Sequence, residues 1–331
     1  MESNSKKISV VLPVYNGLPF LESSVHSVLL QSFPDFELLI VDDRSDDGSL
    51  EYLQSLNDPR IRLFINEANK GLFYNLNFLI RRAGSPLIKL WAQDDVMDLN
   101  CLHEILCFHE RYPQVGFSYS AREIINLKGA VITGAKPDAT PELISTSLHS
   151  RIAFFTGSIA GNIANVTLTR KALETVGLFD ESMKISGDFD MWVRIAEKYP
   201  VGFINKPIVQ LRDHPGQLSR QEKYYPDHLK EDLKVYAYLF KYASPAEKKE
   251  GRRLLRNHKL LFYYTLMIKA FLKGSFKTGI SFYRTLSRFD NIYLMTFYFV
   301  KNRILLRENY LKIHIDNSAF FERVPLANTD S

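Results

Sequence analysis

Short runs of β-branched and apolar residues recur along the first 95 positions of the chain, and each opens into a polar cluster. Ile8-Ser9-Val10-Val11-Leu12 leads into Pro13-Val14-Tyr15-Asn16, and Phe36-Glu37-Leu38-Leu39-Ile40-Val41 into Asp42-Asp43-Arg44-Ser45-Asp46-Asp47-Gly48. Ile61-Arg62-Leu63-Phe64-Ile65 leads into Asn66-Glu67-Ala68-Asn69-Lys70-Gly71, and Leu87-Ile88-Lys89-Leu90-Trp91 into Ala92-Gln93-Asp94-Asp95. The stretches between carry apolar residues at helical spacing. Such alternation describes parallel strands joined by crossover helices. It predicts strands over 8–14, 36–42, 61–65 and 87–91, and helices over 18–31, 49–56, 72–83 and 99–112. A strand over 115–120 follows, then a mixed stretch over 122–160 with turn signals at Gly129 and Gly134. Further strands are expected over 163–168, 201–203 and 208–211, with a helix over 188–199 that sets Phe189, Val193 and Ala196 on one side. Beyond Pro226 the pattern is helical, with breaks near Ser244-Pro245, Gly274 and Asp290. The expected fold class is α/β: a Rossmann-like, mostly parallel sheet with a C-terminal helical extension.

Composition alters this picture little, and charge alters it more. At 46% hydrophobic residues over 331 positions, a sizeable core is available. No run approaches the ~18 apolar residues a membrane-spanning helix needs. The residues before the first strand contain no apolar signal core, so export is not expected and a cytoplasmic location is. The two cysteines, Cys101 and Cys107, fall on different faces of the helix expected there and predict no disulfide. The net charge of +5 is unevenly divided: residues 1–219 carry 21 Lys/Arg against 26 Asp/Glu, and residues 220–331 carry 21 against 11. An acidic front and a basic rear imply surfaces with different partners. In the rear, cations alternate with aromatics such as Phe262, Tyr263, Phe297 and Tyr298. They read either as ordinary packed helices with solvated cationic faces or as a weak contact with an anionic membrane face. No nucleic-acid recognition motif accompanies the charge.

In open parallel sheets, ligands bind outside the carboxyl ends of the strands. Here those ends carry Asp42-Asp43 and Asp94-Asp95, on strands expected to be neighbours or next-neighbours. Two carboxylate pairs in one crevice repel unless a cation sits between them. Mg²⁺ or Mn²⁺ suits the place, since such a hard ion is held by one or two carboxylates together with substrate phosphates. Asp46 and Asp47 read as turn or helix-cap residues. A dinucleotide-binding sheet is excluded at the first turn, where Gly-x-Gly-x-x-Gly is required and Pro13-Val14-Tyr15-Asn16-Gly17 stands instead. P-loop and zinc-type Cys/His spacings are absent as well.

These residues resemble those of the family 2 glycosyltransferases. The resemblance begins with Pro13-Val14-Tyr15-Asn16, Val41-Asp42-Asp43-Arg44-Ser45-Asp46-Asp47 and Asn69-Lys70-Gly71, which look like the family's nucleotide-binding half. Gln93-Asp94-Asp95 looks like its metal-binding Asp-x-Asp segment, with Ala92 or Gln93 in place of the first Asp. Residues 171–181 resemble the acceptor-side segment, and Ser186-Gly187-Asp188-Phe189-Asp190 the Glu-Asp catalytic segment, with Gly187 where the Glu stands. Arg212-Asp213-His214 resembles the closing Arg-x-His element. The likeness covers about residues 6–220 in the family's order. It implies a glycosyltransferase A-type catalytic domain over 1–220, with about 6–115 as the nucleotide-sugar and metal half and about 116–220 as the acceptor half, followed by a basic extension over 221–331. It implies inverting transfer of a sugar from a nucleotide-sugar, UDP-type, to a hydroxyl of a glycan or lipid-linked acceptor in polysaccharide or cell-envelope biosynthesis. Pro13, Tyr15, Asn16, Asp42, Asp43, Asn69, Lys70 and Asp94 then face the donor, and Asp95, Asp94 and His214 hold the metal. Asp188 is the base, with Asp190 as its fallback. The lost carboxylates keep a second reading open, a non-catalytic glycosyltransferase-like binding protein.

Overall fold

The structure is a computed structural model that describes residues 6–135, 139–241 and 243–305. The chain divides into two compact units. Residues up to His149 together with Ala160–Pro215 form the first, and Ser150–Ile159 together with the chain from Gly216 onward form the second.

The first unit is built on one sheet. Its first half follows the apolar runs: β1 (Ile8–Val14), β2 (Phe36–Asp42), β3 (Ile61–Ile65) and β4 (Leu87–Leu90), alternating with α1 (Leu21–Leu29), α2 (Ser49–Ser55) and α3 (Leu72–Ile80). β1 and β2 are buried on both faces, which is why their sequences are apolar almost without interruption. β1 pairs in parallel with β2 and β4, and β2 with β3. Register sets the rim: Val14 lies opposite Asp42, and Asp42 opposite Ile65, so three polar clusters start in one row. β4 ends opposite Val11, and the Trp91 amide still bonds the Val11 carbonyl. Trp91–Gln93 therefore run on beside β1 toward Tyr15.

The later elements are β5 (Val96–Met97), α4 (Cys101–Arg111), β6 (Phe117–Ile125), β7 (Val131–Thr133), β8 (Leu143–Ile144), α5 (Thr146–Thr156), β9 (Val166–Thr169), α6 (Arg170–Val176), α7 (Gly187–Ala196) and β10 (Val201–Arg212). The sheet order is β3-β2-β1-β4-β9-β6-β10-β5, with β7 on β6 and β8 on β10. β9 runs antiparallel to β4 and β6 and joins the parallel half to the β6–β10 parallel pair. Several features differ from the sequence expectation: β5, β7, β8 and α6 are additional, β6 runs on to Ile125, and Ile163–Asn165 is a 3-10 turn before β9. The segments at 201–203 and 208–211 are one strand, interrupted by an exposed irregularity at Asn205, Lys206 and Pro207. Proline there cannot donate to the ladder, and this break is what the sequence displays as two short runs. The mixed stretch over 122–160 hides α5, whose apolar spacing is irregular.

The second unit is helical: α8 (Tyr225–Leu239), α9 (Pro245–Leu255), a π-turn at Arg256–Leu260, α10 (Leu261–Leu272), α11 (Phe276–Phe289) and α12 (Ile292–Phe299). The breaks fall at Ser244, Gly274 and Asp290 as the pattern predicts. Ser244 caps α9 reciprocally with Glu247. Gly274 adopts φ +73°, a value that favours glycine after a helix. Phe154 packs edge-on against Phe240 at 4.8 Å, and Arg256 grips Asp290 through two bonds of 2.6 and 2.8 Å. Among the described residues, no helix is long and apolar enough to cross a membrane. Both cysteines are free thiols, Cys101 buried and Cys107 exposed.

Candidate active site

The rim at the ends of β1, β2 and β4 is stitched together by polar side chains that the loops exchange. Asn16 sits at φ +50° and Arg44 at φ +69°, both in the left-handed region, on the loops after β1 and β2. Strained backbone of this kind persists where surrounding bonds over-determine it. Those bonds are present. The Asn16 amide donates to Ser45 Oγ at 3.0 Å, and the Asn16 side chain exchanges two bonds with Asp46, of 2.8 and 2.9 Å. Ser49 Oγ accepts from Gly17, and Asp47 accepts from Leu18 across the loops and from Ser49 at the start of α2. Asp46 and Asp47 thus act as the turn and cap residues expected of them. The Tyr15 amide donates to Gln93 Oε1 at 2.8 Å, and Gln93 Nε2 returns bonds to the Tyr15 and Asn16 carbonyls. Gln93 is therefore a neutral staple between β4 and β1. Tyr15 is half-exposed at the mouth.

The two aspartates at the end of β2, Asp42 within the strand and Asp43 just beyond it, have different environments. Asp43 is buried, and both its oxygens are used: Oδ1 accepts from Asn66 Nδ2 and the Lys70 amide, and Oδ2 from the Gly71 amide. It holds the Asn66–Gly71 loop, on which Asn69 and the Lys70 side chain remain exposed. Asp42 is fully buried, and its Oδ1 accepts from the Arg44 and Ser45 amides at 3.1 Å. Its Oδ2 is buried with no hydrogen-bond partner among the described residues. A buried carboxylate oxygen left without a donor is unfavourable, and a ligand N–H would satisfy it.

The aspartates after β4 also divide. Asp94 Oδ2 lies 2.8 Å from His214 Nε2, and both side chains are partly open to solvent. Asp95 is fully buried; its Oδ1 accepts the Arg212 amide at 2.8 Å, and its Oδ2 is unpaired among the described residues. Burial, and then the neighbouring Asp94 charge, push Asp95 well above the usual carboxylate range. Lys89, fully buried on β4 and bonded to the Ala164 carbonyl, is pushed by burial down to about 8. Arg212 ties the end of β10 to the site: Nε donates to the Asp94 carbonyl at 2.8 Å and Nη1 to Asn126 and Leu127. Its guanidinium lies 4.7 Å from the Phe20 ring centroid, and His214 packs on the same ring at 5.1 Å. No sequence signal singled out Phe20, a loop aromatic whose partners lie about 190 residues away.

The donor set suits a divalent cation. Asp94 and His214 would supply two positions to such an ion, and ligand oxygens with water would complete its shell. The orphaned Asp95 oxygen lies in the next residue. Among the described residues, no three His, Cys, Asp or Glu side chains form a site that would hold a metal without a ligand's help. Of the three expected metal ligands, Asp95 is fully buried, while Asp94 and His214 are partly open to solvent.

Asp188 is half-buried in the first turn of α7, and its Oδ1 accepts the Phe189 amide at 2.7 Å. Asp190 is committed elsewhere: it pairs with Arg194 at 2.7 Å, while Arg194 also bonds the Val176 and Leu178 carbonyls. The glycine before Asp188 has a local cause. A Cβ on Gly187 would lie 2.7 Å from the Phe73 ring. Phe73, in the first turn of α3 just after the Asp43-held loop, stacks on Phe179 at 5.5 Å. Asp188 is thereby attached to the same side of the molecule as the Lys70–Gly71 loop.

Comparison with known proteins agrees with this architecture. Residues 9–161 match the sequence profile described as "Glycosyl transferase family 2". The chain is 26% identical over 216 residues to "Uncharacterized glycosyltransferase RC0461" of Rickettsia conorii, covering 65% of this chain and 35% of that protein. It thus spans about a third of that relative's length. It is 27% identical over 237 residues to "Putative colanic acid biosynthesis glycosyl transferase WcaA" of Escherichia coli K12, covering 68% of this chain and 82% of that protein. Among solved structures, S. aureus TarS 1-349 in complex with UDP-GlcNAc superimposes with a TM-score of 0.59 at 19% identity, covering 75% of this chain and 70% of that one. At that identity the likeness is one of fold.

Proposed function

Residues 9–161 match glycosyl transferase family 2, and on that premise we propose that the chain transfers a sugar from a UDP-type nucleotide-sugar to a hydroxyl of a glycan or lipid-linked acceptor. The transfer inverts the anomeric carbon and serves polysaccharide or cell-envelope biosynthesis. The observation that carries this reading is the strand-end rim, where the orphaned Asp42 oxygen at the end of β2 and the Asp94–His214 pair after β4 lie on strands that flank β1. The UDP-GlcNAc bound by the TarS structure and the colanic acid biosynthesis in the printed name of WcaA support the donor and pathway class.

In this reading Asp42 Oδ2 accepts the ring N–H of the base, and Tyr15, beside Pro13 and Asn16, lines it. Asp43 positions the loop that presents Asn69 and Lys70, whose exposed ammonium suits a diphosphate. Asp94 and His214, backed by Asp95, would hold Mg²⁺ or Mn²⁺, which as a Lewis acid neutralises charge developing on the departing nucleotide. Asp188 accepts the proton of the acceptor hydroxyl as that oxygen bonds to the anomeric carbon from the face opposite the leaving group. The catalytic domain is residues 1–220, working in the cytoplasm at the inner membrane face, with 221–331 as its basic extension.

A panel of UDP-, GDP- and dTDP-sugars, with and without Mg²⁺ or Mn²⁺, tests the proposal by thermal shift and donor hydrolysis. Metal-enhanced stabilisation by one UDP-sugar with slow hydrolysis is the expected result. Silence toward every donor would favour the second reading, a non-catalytic binding protein, which the Phe73 ring filling the place of the lost Glu side chain supports.

A further inference from the structure

From α10 to the end of the described chain, the second unit presents apolar side chains to solvent. Leu272 is 82% exposed, Phe276 62%, Tyr293 83% and Phe297 59%, with Ile280 and Tyr283 also exposed. They are ordered. At about 100° per residue, Phe276, Ile280 and Tyr283 fall within roughly 60° of α11, and exposed Lys277, Arg284 and Arg288 fill an arc of roughly 40° beside them. Gly279, Phe282 and Leu286, on another face, are buried. The helix therefore already has its packed side, and the apolar stripe is additional. On α12, Tyr293 and Phe297 repeat the pattern one turn apart, with Met295 buried. Residues 261–305 contain seven Lys/Arg and one acidic residue, Asp290, which is held by Arg256.

We propose that this face, formed by the end of α10 with α11 and α12, is the surface by which the protein lies on an anionic lipid bilayer; the idea rests on the placement at the inner membrane face and gives that placement its residues. The aromatic and aliphatic side chains enter the boundary between headgroups and acyl chains, as an apolar stripe flanked by cations does on an interfacial helix. Tyrosines at its edge suit that boundary, having an apolar ring and a polar tip. Lysines and arginines beside them meet lipid phosphates. Charge decides the occupant: a second copy of this cationic face would repel it, whereas an anionic surface complements it. Helices of 12, 14 and 8 residues are too short to span a bilayer and long enough to lie on one.

The test is co-sedimentation of the full chain with phosphatidylcholine vesicles and with vesicles containing about one-third phosphatidylglycerol. Binding to the anionic vesicles alone, released at 1 M salt where the screening length is about 3 Å, is the expected result. Lys277→Gln with Arg284→Gln should weaken it about thirtyfold, by the usual contribution of a basic residue near a charged membrane. Phe276→Ser with Phe297→Ser should remove binding at low salt. These side chains are exposed, so thermal melts should stay unchanged, and UDP binding measured on the same variants reports on the donor site separately. Equal partition to neutral and anionic vesicles, or to neither, overturns the proposal. So does a chain that sediments as a dimer made monomeric by the Phe variants while ignoring vesicles. Loss of UDP binding in the unmodified chain would instead count against the transferase reading and leave the lipid result standing.

Discussion

At the residue scale, the site separates groups that look equivalent in the sequence. Asp188 and Asp190 stand two apart on α7: Asp190 pairs with Arg194, and Asp188 accepts the Phe189 amide. Asp188→Asn should leave UDP-sugar affinity nearly unchanged while transfer falls by about 10²–10⁴, the usual contribution of a general base. Asp190→Asn should lower the melting temperature slightly and leave most of the transfer. Isothermal titration with initial-rate measurements on both variants decides between them, and the reverse pattern would move the base to Asp190. Asp94 and Asp95 divide in the same way. Asp94 meets His214 near solvent, whereas Asp95 is buried and receives the Arg212 amide. Asp94→Asn should abolish the metal dependence of donor binding. Asp95→Asn keeps an acceptor oxygen for Arg212 and should retain part of that dependence, visible as a shifted Mn²⁺ titration. Equal loss in both would give Asp95 an equal share in holding the metal.

At the scale of elements, α3 and α7 meet through Phe73 and Gly187, and this contact explains a glycine at the position where the resembled motif has Glu. Alanine ordinarily favours a helix over glycine by about 1 kcal/mol. Here its methyl would stand 2.7 Å from a ring fixed in the core beside Phe179. Overpacking of that kind costs about 1–3 kcal/mol, so Gly187→Ala should destabilise on balance. Phe73→Leu in the same chain should recover part of the loss, giving a double-mutant coupling that chemical denaturation can measure. Additive effects would mean that the two helices do not constrain each other. The single β10 shows a related effect in the sheet: its exposed irregularity at Asn205–Pro207 leaves the strand continuous, and β10 delivers Arg212 and His214 to Asp94 and Asp95.

At the scale of the whole molecule, acid sensitivity follows from two buried imidazoles in the first unit. His109 bonds Ser118 at 2.9 Å, and His149 lies edge-on to Phe117. Burial pushes both from 6.5 down to about 4. Above pH 6.5 each is neutral whether the chain is folded or not, and their contribution to stability is complete. As pH falls from 6.5 to 4, the unfolded chain takes up protons that the folded chain excludes, and stability drops by about 3 kcal/mol for each histidine. Melting temperatures should therefore fall across that window, and His109→Gln with His149→Leu should flatten the fall. An unchanged slope would place the acid sensitivity in other groups.

The sequence by itself determined the positions of the four leading strands, their parallel pairing and the rim at their ends. The reason is local: a short apolar run buried on both faces needs no distant partner to be recognisable, and crossover helices force its direction. It also marked Asp42, Asp94, Asp188 and His214 as chemical candidates through their resemblance to a family. Which polar groups of the rim are consumed by the protein's own hydrogen bonds was decided only in three dimensions. Asp43 is spent on a loop 27 residues away, Gln93 on the turn 78 residues before it, and Asp95 on an amide 117 residues later. Hydrogen-bond partners at such separations are selected by where the sheet brings the loops, and no periodicity in the chain records them. The reversed β9, the helix α5 and the Phe73 ring over Gly187 were hidden for the same reason, since packing against distant elements shapes each of them.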